Sequence, residues 1–182
     1  MSVDDGGVPA GVLSQESIRR LLAGANPLVD QIRSIEHQLQ PQGVDLTVEA
    51  VWRFLGRGAL GPERQLPLRG PVQLADGWYR LSPGPYVITL HESLNMPLDL
   101  MALAFPRSTL LRCGARLGTA VIDAGYHGQL EALLLVENPF GLDLAADATI
   151  CQVVFFPLNA TVEGYRGFYQ GNLLVEPSRG IG

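Results

Sequence analysis

Residues 105–112 (FPRSTLLR) and 119–128 (TAVIDAGYHG) form the stretch around which the rest of the chain is organised. Hydroxyl and guanidinium side chains precede one carboxylate, Asp123, which lies beside Gly125 and Gly128 in a predicted turn. Hydroxyls, guanidiniums and backbone N–H groups bind phosphate. A carboxylate next to a phosphate serves mainly to hold a metal or to activate water. The stretch therefore indicates phosphate chemistry centred on Asp123.

The composition is typical of one β-rich domain. The chain has 182 residues, of which 21 are glycine and 13 are proline, as expected for many short strands joined by turns. The formal net charge of −5 argues against a general nucleic-acid binder. Residues 1–7 are acidic and lack the apolar core of a signal peptide, and no apolar run reaches the roughly 18 residues of a membrane span. We therefore expect a cytoplasmic protein without a membrane or nucleic-acid partner.

The cysteines and histidines do not follow a metal-site pattern. Cys113 and Cys151 have no second Cys or His at ligand spacing, and the three histidines are scattered along the chain. We expect both cysteines to be buried free thiols, and we expect no zinc site.

Apolar periodicity predicts one short helix followed by strands. Ser14 is the expected N-cap, Leu13 and Ile18 have the spacing of a hydrophobic staple, and Gly24 should end the helix. Alternating apolar and polar residues over 44–54 predict a half-buried strand. Further strands are expected at residues 77–81, 86–90, 98–105, 129–136 and 149–156.

These elements predict an all-β fold, a distorted barrel or jelly-roll-like domain with a short N-terminal helix. We expect a single domain over residues 1–182, with a flexible N-terminus at residues 1–12. Residues 164–182 have no apolar period, so we expect them to lie outside the core.

Several short motifs follow one another along the chain. They are the helix start Leu13-Ser14 with residues 40–46 (QPQGVDL), then 81–84 (LSPG), 106–110 (PRSTL), 121–128 (VIDAGYHG), 150–156 (ICQVVFF), 164–171 (GYRGFYQG) and 177–179 (PSR). In this order they resemble the dUTP diphosphatase (dUTPase) and dCTP deaminase superfamily, and most of all its archaeal-type dUTPases. The resemblance covers nearly the whole chain and implies a dUTPase-like, β-clip barrel.

The resemblance implies a homotrimer with active sites between subunits, Mg²⁺, and hydrolysis of dUTP to dUMP and pyrophosphate. Asp123 matches the family's water-activating aspartate; its alternative is a turn cap bonded to its own backbone. Tyr126 matches the residue that packs against deoxyribose, although it could also be part of the barrel wall. Ser108 would contact phosphate oxygens, unless it is simply a turn serine. Mg²⁺ would be held mainly by the substrate's phosphates and by water.

The resemblance also implies further substrate contacts, and for some of these residues a structural role is the alternative. Gln152 lies in an apolar strand, where phosphate, a neighbouring subunit or the fold itself could satisfy its amide. Of the two arginines near Ser108, one should pair with a carboxylate, and Arg112 is the better substrate candidate. The implied substrate-binding residues are Arg107, Ser108, Thr109, Arg112, Ala120, Tyr126, Gln152, Arg166, Tyr169 and Gln170.

The C-terminal segment, residues 164–182, resembles the family's lid over the nucleotide. Phe168, Tyr169 and Gln170 would cover the substrate, with Arg166 or Arg179 near the γ-phosphate. The alternative is a disordered tail. Uracil recognition in the family relies largely on backbone groups of the hairpin after Asp123, which side chains cannot indicate.

Two alternative functions remain open at this point. One is a dCTP deaminase of this superfamily, mono- or bifunctional, which needs a glutamate at the position of Leu133. Glu131, the second candidate acid or base, lies two residues earlier on the same strand face, about 7 Å away at about 3.3 Å per residue. The alternative for Glu131 is a carboxylate that simply faces solvent or a subunit interface. A trimer that binds nucleotide without turnover is the other alternative, against which the presence of Asp123 argues.

Overall fold

The computed structural model describes residues 11–171, which fold mainly into antiparallel β-strands. The helices are α1 (Gln15–Leu22), α2 (Ile35–Gln38) and α3 (Ser108–Arg112). The strands are β1 (Val29–Asp30), β2 (Leu39–Gln40), β3 (Gly43–Phe54), β4 (Ala59–Leu60), β5 (Arg64–Gln65), β6 (Arg69–Pro71), β7 (Trp78–Leu81), β8 (Gly84–Asn95), β9 (Leu100–Pro106), β10 (Ala115–Gly118), β11 (Val121–Ile122), β12 (His127–Val136), β13 (Leu142–Ala145) and β14 (Thr149–Pro157). The expected all-β class with one short N-terminal helix is confirmed.

The principal sheet is antiparallel and curls because its long strand β3 changes partners. The strand order is β10-β12-β8-β3-β14-β9-β11. The first half of β3 pairs with β14, from Val44 to Thr47, and the second half pairs with β8, from Val48 to Arg53. One strand therefore links two groups of strands around a shared apolar core that includes Ile88.

The predicted N-terminal helix is confirmed in detail. The Ser14 hydroxyl oxygen accepts from the Ser17 N–H at 3.4 Å and caps α1, which ends at Leu22. Leu13 and Ile18 are both buried, so the helix is held to the barrel by its apolar side. The staple residue Leu13 also donates its N–H to the Phe155 carbonyl oxygen at 3.0 Å.

The half-buried pattern predicted for residues 44–54 is wrong for the first half of β3, where residues 43–48 are all buried. Its second face is covered by α2 and by a buried carboxylate, Glu92. That carboxylate accepts from the Thr47 N–H and hydroxyl, both at 2.8 Å, and from Gln38 Nε2 at 2.6 Å. Polar residues can be buried there because each one has a hydrogen-bond partner.

The expectation that both cysteines are buried is correct only for Cys151. Cys113 is exposed because it follows the last residue of α3 and forms the C-terminal cap of that short surface helix. Within residues 11–171, no helix combines the length and apolar character that crossing a membrane requires. Most of the predicted flexible segment, residues 1–12, lies outside the described residues. Arg179 also lies outside them.

Candidate active site

Asp123 lies in the tight turn between β11 and β12. The Tyr126 N–H donates to the Asp123 carbonyl oxygen at 3.2 Å, and the Gly125 N–H donates to the Met96 carbonyl oxygen at 3.1 Å. Gly125 has a φ of 77°, and a Cβ there would lie 2.8 Å from the Gly164 Cα. Only glycine suits this position, because both the backbone angle and the close approach of the chain exclude a side chain.

The side chain of Asp123 is exposed and lines a cavity of about 300 Å³. Within residues 11–171 no group donates a hydrogen bond to its carboxylate and no cation pairs with it. The turn is instead closed by backbone hydrogen bonds. The carboxylate therefore does not serve as a cap for its own turn, and it is accessible to water or a ligand.

The cavity brings together five residues that the sequence analysis named. They are Ala120, Asp123, Tyr126, Glu131 and Tyr169. Much of the remaining wall is apolar and includes Leu66, Leu130 and Tyr165. A mostly apolar wall with a few polar side chains is typical of a small-molecule site.

Tyr126 joins the turn to the wall of this cavity. Its hydroxyl donates to the Gln129 carbonyl oxygen at 2.6 Å, and its ring meets the Tyr165 ring edge-on at a centroid distance of 5.8 Å. Burial raises the pKa of Tyr126 to about 12, with smaller contributions from Tyr165 and from the Glu131 charge. The phenol therefore stays neutral at physiological pH, and its hydrogen bond to Gln129 holds the ring at the cavity wall.

Glu131 reaches the same cavity, but an arginine occupies its carboxylate. Arg69 Nη1 lies 2.7 and 2.8 Å from its two oxygens, and the pairing of β6 with β3 positions that arginine. Glu131 pairs with Thr89 of β8, whereas Gln129, two residues earlier, pairs with Ser93. The extra residues at this irregularity therefore lie on β8. Because β12 itself has no bulge here, Glu131 is not shifted to the position of Leu133.

The predicted phosphate-binding residues form a second group away from this cavity. Ser108 and Thr109 begin α3, and Arg112 ends it; all three are exposed. Arg107 precedes the helix and forms an ion pair with the buried Asp45. The residues of this group are Arg107, Ser108, Thr109, Arg112 and Gln152, and none of them lines the cavity of Asp123.

Gln152 lies near the second group, on β14 between β3 and β9. It pairs with Asp45 on one side and with Phe105 on the other. Its side chain is half-buried, and no other side chain or backbone group within the described residues hydrogen-bonds to its amide. The amide is thus free for a ligand or a neighbouring chain.

The first part of the C-terminal segment packs against the turn of Asp123 in the same chain. The Tyr165 N–H donates to the Ala124 carbonyl oxygen at 2.7 Å. The carboxamide of Gln170 accepts from the His127 N–H at 3.1 Å and donates to the Gly125 carbonyl oxygen at 2.8 Å. This contact brings Tyr169 to the cavity. Arg166, by contrast, is highly exposed and lies 3.5 Å from Glu163.

Several cavity features were missed by the sequence analysis. No strand was predicted in the Gly/Pro-rich residues 56–70, yet they carry the β4–β5 hairpin, place Leu66 in the cavity wall and supply Arg69 to Glu131. Arg64 of this hairpin stacks over the Phe168 ring at 5.5 Å from its centroid. Gln129 also lines the cavity, and only its place on the same face of β12 as Glu131 could have indicated this.

The described residues contain no cluster of three or more His, Cys, Asp or Glu side chains that could hold a metal on their own. Asp123 nevertheless supplies hard oxygen atoms at the cavity wall, whereas the oxygens of Glu131 are paired with Arg69. Mg²⁺ is commonly bound through one or two carboxylates together with substrate phosphates. The residues therefore fit Mg²⁺ that a nucleotide brings with it.

Comparison with known proteins identifies the family. A sequence profile described as dCTP deaminase-like matches residues 12–158. The chain belongs to the dCTP deaminase-like family. It is 42% identical over 164 residues to a protein of Methanosarcina mazei named probable deoxyuridine 5'-triphosphate nucleotidohydrolase, covering 87% of this chain and 96% of that one. A protein of Archaeoglobus fulgidus with the same name is 40% identical over 163 residues, covering 88% and 96%.

A solved structure of a family member has the same fold. The crystal structure of 2'-deoxycytidine 5'-triphosphate deaminase from Agrobacterium tumefaciens matches with a TM-score of 0.63 and 25% identity. The match covers 80% of this chain and 47% of the deaminase chain, so this chain corresponds to about half of that protein. The resemblance inferred from the motifs, to the dUTPase and dCTP deaminase superfamily, is confirmed.

Proposed function

We propose that the protein is a dUTP diphosphatase that hydrolyses dUTP to dUMP and pyrophosphate. The observation that carries the proposal is the exposed carboxylate of Asp123, which has no partner among residues 11–171, at the wall of a nucleoside-sized cavity. The names of the Methanosarcina and Archaeoglobus relatives, at about 40% identity over most of both chains, support the same substrate.

In the proposed reaction, Asp123 accepts a proton from water as the water oxygen bonds to the α-phosphorus. The bond between that phosphorus and the oxygen bridging to the β-phosphate breaks, and pyrophosphate leaves. A positioned base of this kind contributes on the order of 10²–10⁴ in rate. Mg²⁺ bound to the triphosphate would neutralise charge on the phosphate oxygens. Tyr126 and Ala120 would bound the nucleoside.

We propose a C₃ homotrimer. In it, the second group of residues (Arg107, Ser108, Thr109, Arg112 and Gln152) of one subunit completes the cavity of Asp123 in another subunit. The proposal is supported by the separation of Ser108, Arg112 and their neighbours from the cavity of Asp123 within one chain. It is also supported by exposed apolar side chains next to both groups. Phe105 is 51% exposed and Val121 is 57% exposed, although both lie on paired strands of the principal sheet. Such surface is usually covered by a partner.

The C-terminal segment is proposed to act as the lid. Tyr169 already borders the cavity, and the contacts of Tyr165 and Gln170 anchor this segment beside Asp123. In this proposal Ser108, Thr109, Arg112 and Gln152 bind phosphate oxygens, and Arg166 approaches the phosphates only when the lid closes. We place the enzyme in the cytoplasm, on the sequence features given above.

Deamination of dCTP is the second candidate function, because the matching profile is described as dCTP deaminase-like. Two observations disfavour it. Leu133 occupies the position where the resemblance requires a glutamate, and Glu131 is held by Arg69. A trimer that binds nucleotide without turnover is disfavoured by the available carboxylate of Asp123.

One experiment separates the three functions. Purified protein is incubated with Mg²⁺ and each of dUTP, dCTP, dTTP and UTP, and pyrophosphate, uridine products and ammonia are measured separately. We expect pyrophosphate from dUTP and no ammonia from dCTP. Ammonia release would identify a deaminase, and binding of dUTP without either product would identify a nucleotide-binding protein.

A further inference from the structure

The C-terminal segment reaches the cavity through one tight turn, residues 167–170. The Gln170 N–H donates to the Gly167 carbonyl oxygen at 3.2 Å, and the Tyr169 N–H donates to the Tyr165 hydroxyl oxygen at 3.3 Å. A Cβ at Gly167 would overlap the Tyr165 ring, so the turn lies directly against that ring. The turn carries Tyr169, which lines the cavity.

Phe168 belongs to the same turn, and its side chain meets a residue from a distant part of the chain. Its exposed ring packs edge-on against the Tyr169 ring at a centroid distance of 5.2 Å. The guanidinium carbon of Arg64 lies over the ring, 5.5 Å from its centroid. Arg64 begins β5 of the exposed β4–β5 hairpin. The ring thus connects the C-terminal segment to that hairpin.

No carboxylate competes with the ring for Arg64. Among residues 11–171, six other arginines form ion pairs with carboxylates, and Arg64 forms none. A guanidinium is attracted to the negative face of an aromatic ring, and its planar shape suits stacking. At an exposed site such a contact changes an equilibrium by a factor of about two to five. A change of this size is enough to shift the position of a short segment.

The chain around Arg64 is fixed to the cavity independently of the C-terminal segment. Leu66 directly follows β5 and lines the cavity. Arg69 of β6 pairs with Glu131 at the same cavity, and β6 pairs with the long strand β3. The contact between Arg64 and Phe168 therefore joins the C-terminal segment to a part of the chain that the principal sheet holds in place.

We propose that Arg64 is a positioning residue that holds the lid at the cavity through Phe168 before nucleotide binds. This inference rests on the proposed role of the C-terminal segment as the lid. Without Arg64, the turn at residues 167–170 leaves the cavity more often, and nucleotide binding has to supply the cost of ordering Tyr169. A binding element that is ordered beforehand lowers this cost. Loss of Arg64 therefore raises KM and leaves kcat nearly unchanged.

Hydrogen exchange without nucleotide tests the contact by itself. The Tyr165 N–H donates to the Ala124 carbonyl oxygen, so its exchange requires the lid to open and follows the open fraction. Mass spectrometry of peptides covering residues 164–171 should show about two- to fivefold faster exchange in Arg64→Met. Arg57→Met is the matched control, because Arg57 is also exposed and without an ion pair among residues 11–171. It should exchange as the wild type does.

A double-variant cycle shows whether Arg64 acts through Phe168. Phe168→Leu keeps an apolar side chain and removes the ring, so it should also speed exchange by at least about twofold. Adding Arg64→Met to Phe168→Leu should then cause no further change. Wild-type exchange in Arg64→Met, or effects that multiply in the double variant, would overturn the proposal. If Arg64→Met fails to fold, wild-type exchange in Phe168→Leu would also overturn it.

Turnover of dUTP separates a contact with the lid from a contact with the nucleotide. In Arg64→Met we expect KM to rise about two- to fivefold, and in the Phe168→Leu background the same substitution should leave KM unchanged. An equal rise of KM in both backgrounds would show that Arg64 binds the nucleotide directly, and the proposal would be wrong. A wild-type protein that does not hydrolyse dUTP would contradict the proposed function, whereas the exchange experiment needs no turnover.

Discussion

The guanidinium of Arg107 forms an ion pair with the carboxylate of Asp45, whose side chain is only 2% exposed. The same carboxylate accepts from Gln40 Nε2 at 3.1 Å, and the Arg107 N–H donates to the Ile150 carbonyl oxygen at 2.9 Å. Arg107 thus joins the start of α3 to β3 and β14. Arg112 forms no ion pair with any described residue, so it is the arginine that remains available for phosphate.

Asp45→Asn should lower the free energy of unfolding by about 1–3 kcal/mol, because it removes the charge that pairs with Arg107 at a buried position. Urea denaturation followed by fluorescence measures this change. Asp143→Asn is the matched control, since Asp143 is exposed, and it should stay within about 0.5 kcal/mol of the wild type. Equal stability of the two variants would show that the ion pair contributes nothing.

Arg112→Gln should weaken dUTP binding on the order of tenfold to a hundredfold without changing stability, because a charge-assisted contact to phosphate is lost. Steady-state KM and thermal unfolding check both parts. Arg116→Gln removes a neighbouring exposed arginine that pairs with Glu137 and should have little effect on KM. A normal KM in Arg112→Gln would contradict its assignment to phosphate.

Asp123→Asn should lower kcat by on the order of 10²–10⁴, with dUTP affinity changed by less than about tenfold. Asparagine keeps the size of the side chain but cannot accept the proton of water. Quenched-flow release of pyrophosphate and equilibrium binding of dUTP measure the two quantities. Unfolding should be unchanged, because none of the hydrogen bonds that the described residues form in this turn depends on this carboxylate.

Glu131→Gln in the same preparation is the control for the base. We expect it to retain most of its pyrophosphate release, because Glu131 is paired with Arg69 and the proposed base is Asp123. If Glu131→Gln abolished turnover while Asp123→Asn did not, the two roles would have to be exchanged. Loss of ammonia release from dCTP in Glu131→Gln would then favour the deaminase.

A chain cut after Glu163 should lose activity by on the order of a hundredfold while it keeps its fold. The cut removes Tyr169 from the cavity, but it leaves the strands of the principal sheet intact. Circular dichroism and thermal unfolding, compared with turnover of dUTP, test this. A truncated protein that fails to fold would show that the contacts of Tyr165 with Ala124 and Tyr126 are essential to the structure.

Sedimentation should give the mass of a trimer for the wild type and a smaller species for Phe105→Asp or Val121→Asp. A charge placed in an apolar contact between subunits is costly to bury. Phe140→Asp is the control, because Phe140 is 97% exposed and lies in the turn before β13. A wild-type monomer that hydrolyses dUTP at full rate would exclude the trimer.

Sequence was sufficient wherever neighbouring residues decide the structure. Ser14 caps α1 through the N–H of Ser17, only three residues along the chain, as its position predicted. Ile18 is buried on the apolar side of the same helix, as its spacing from Leu13 predicted. The turn after Asp123 followed from Gly125, whose positive φ is a local requirement. Five of the predicted site residues line one cavity, because four of them lie close together in the chain, in and beside the turn from β11 to β12.

Tertiary structure alone decided which charges meet. Asp45 selects Arg107 over Arg112, and Arg69, which lies 62 residues from Glu131 in the chain, occupies that carboxylate. The orientation of Gln129 likewise depends on Glu49, 80 residues away, through a bulge that no local pattern marks. Such pairings are determined by the register of strands that are distant in sequence, because a shift of one residue turns every side chain to the opposite face of the sheet.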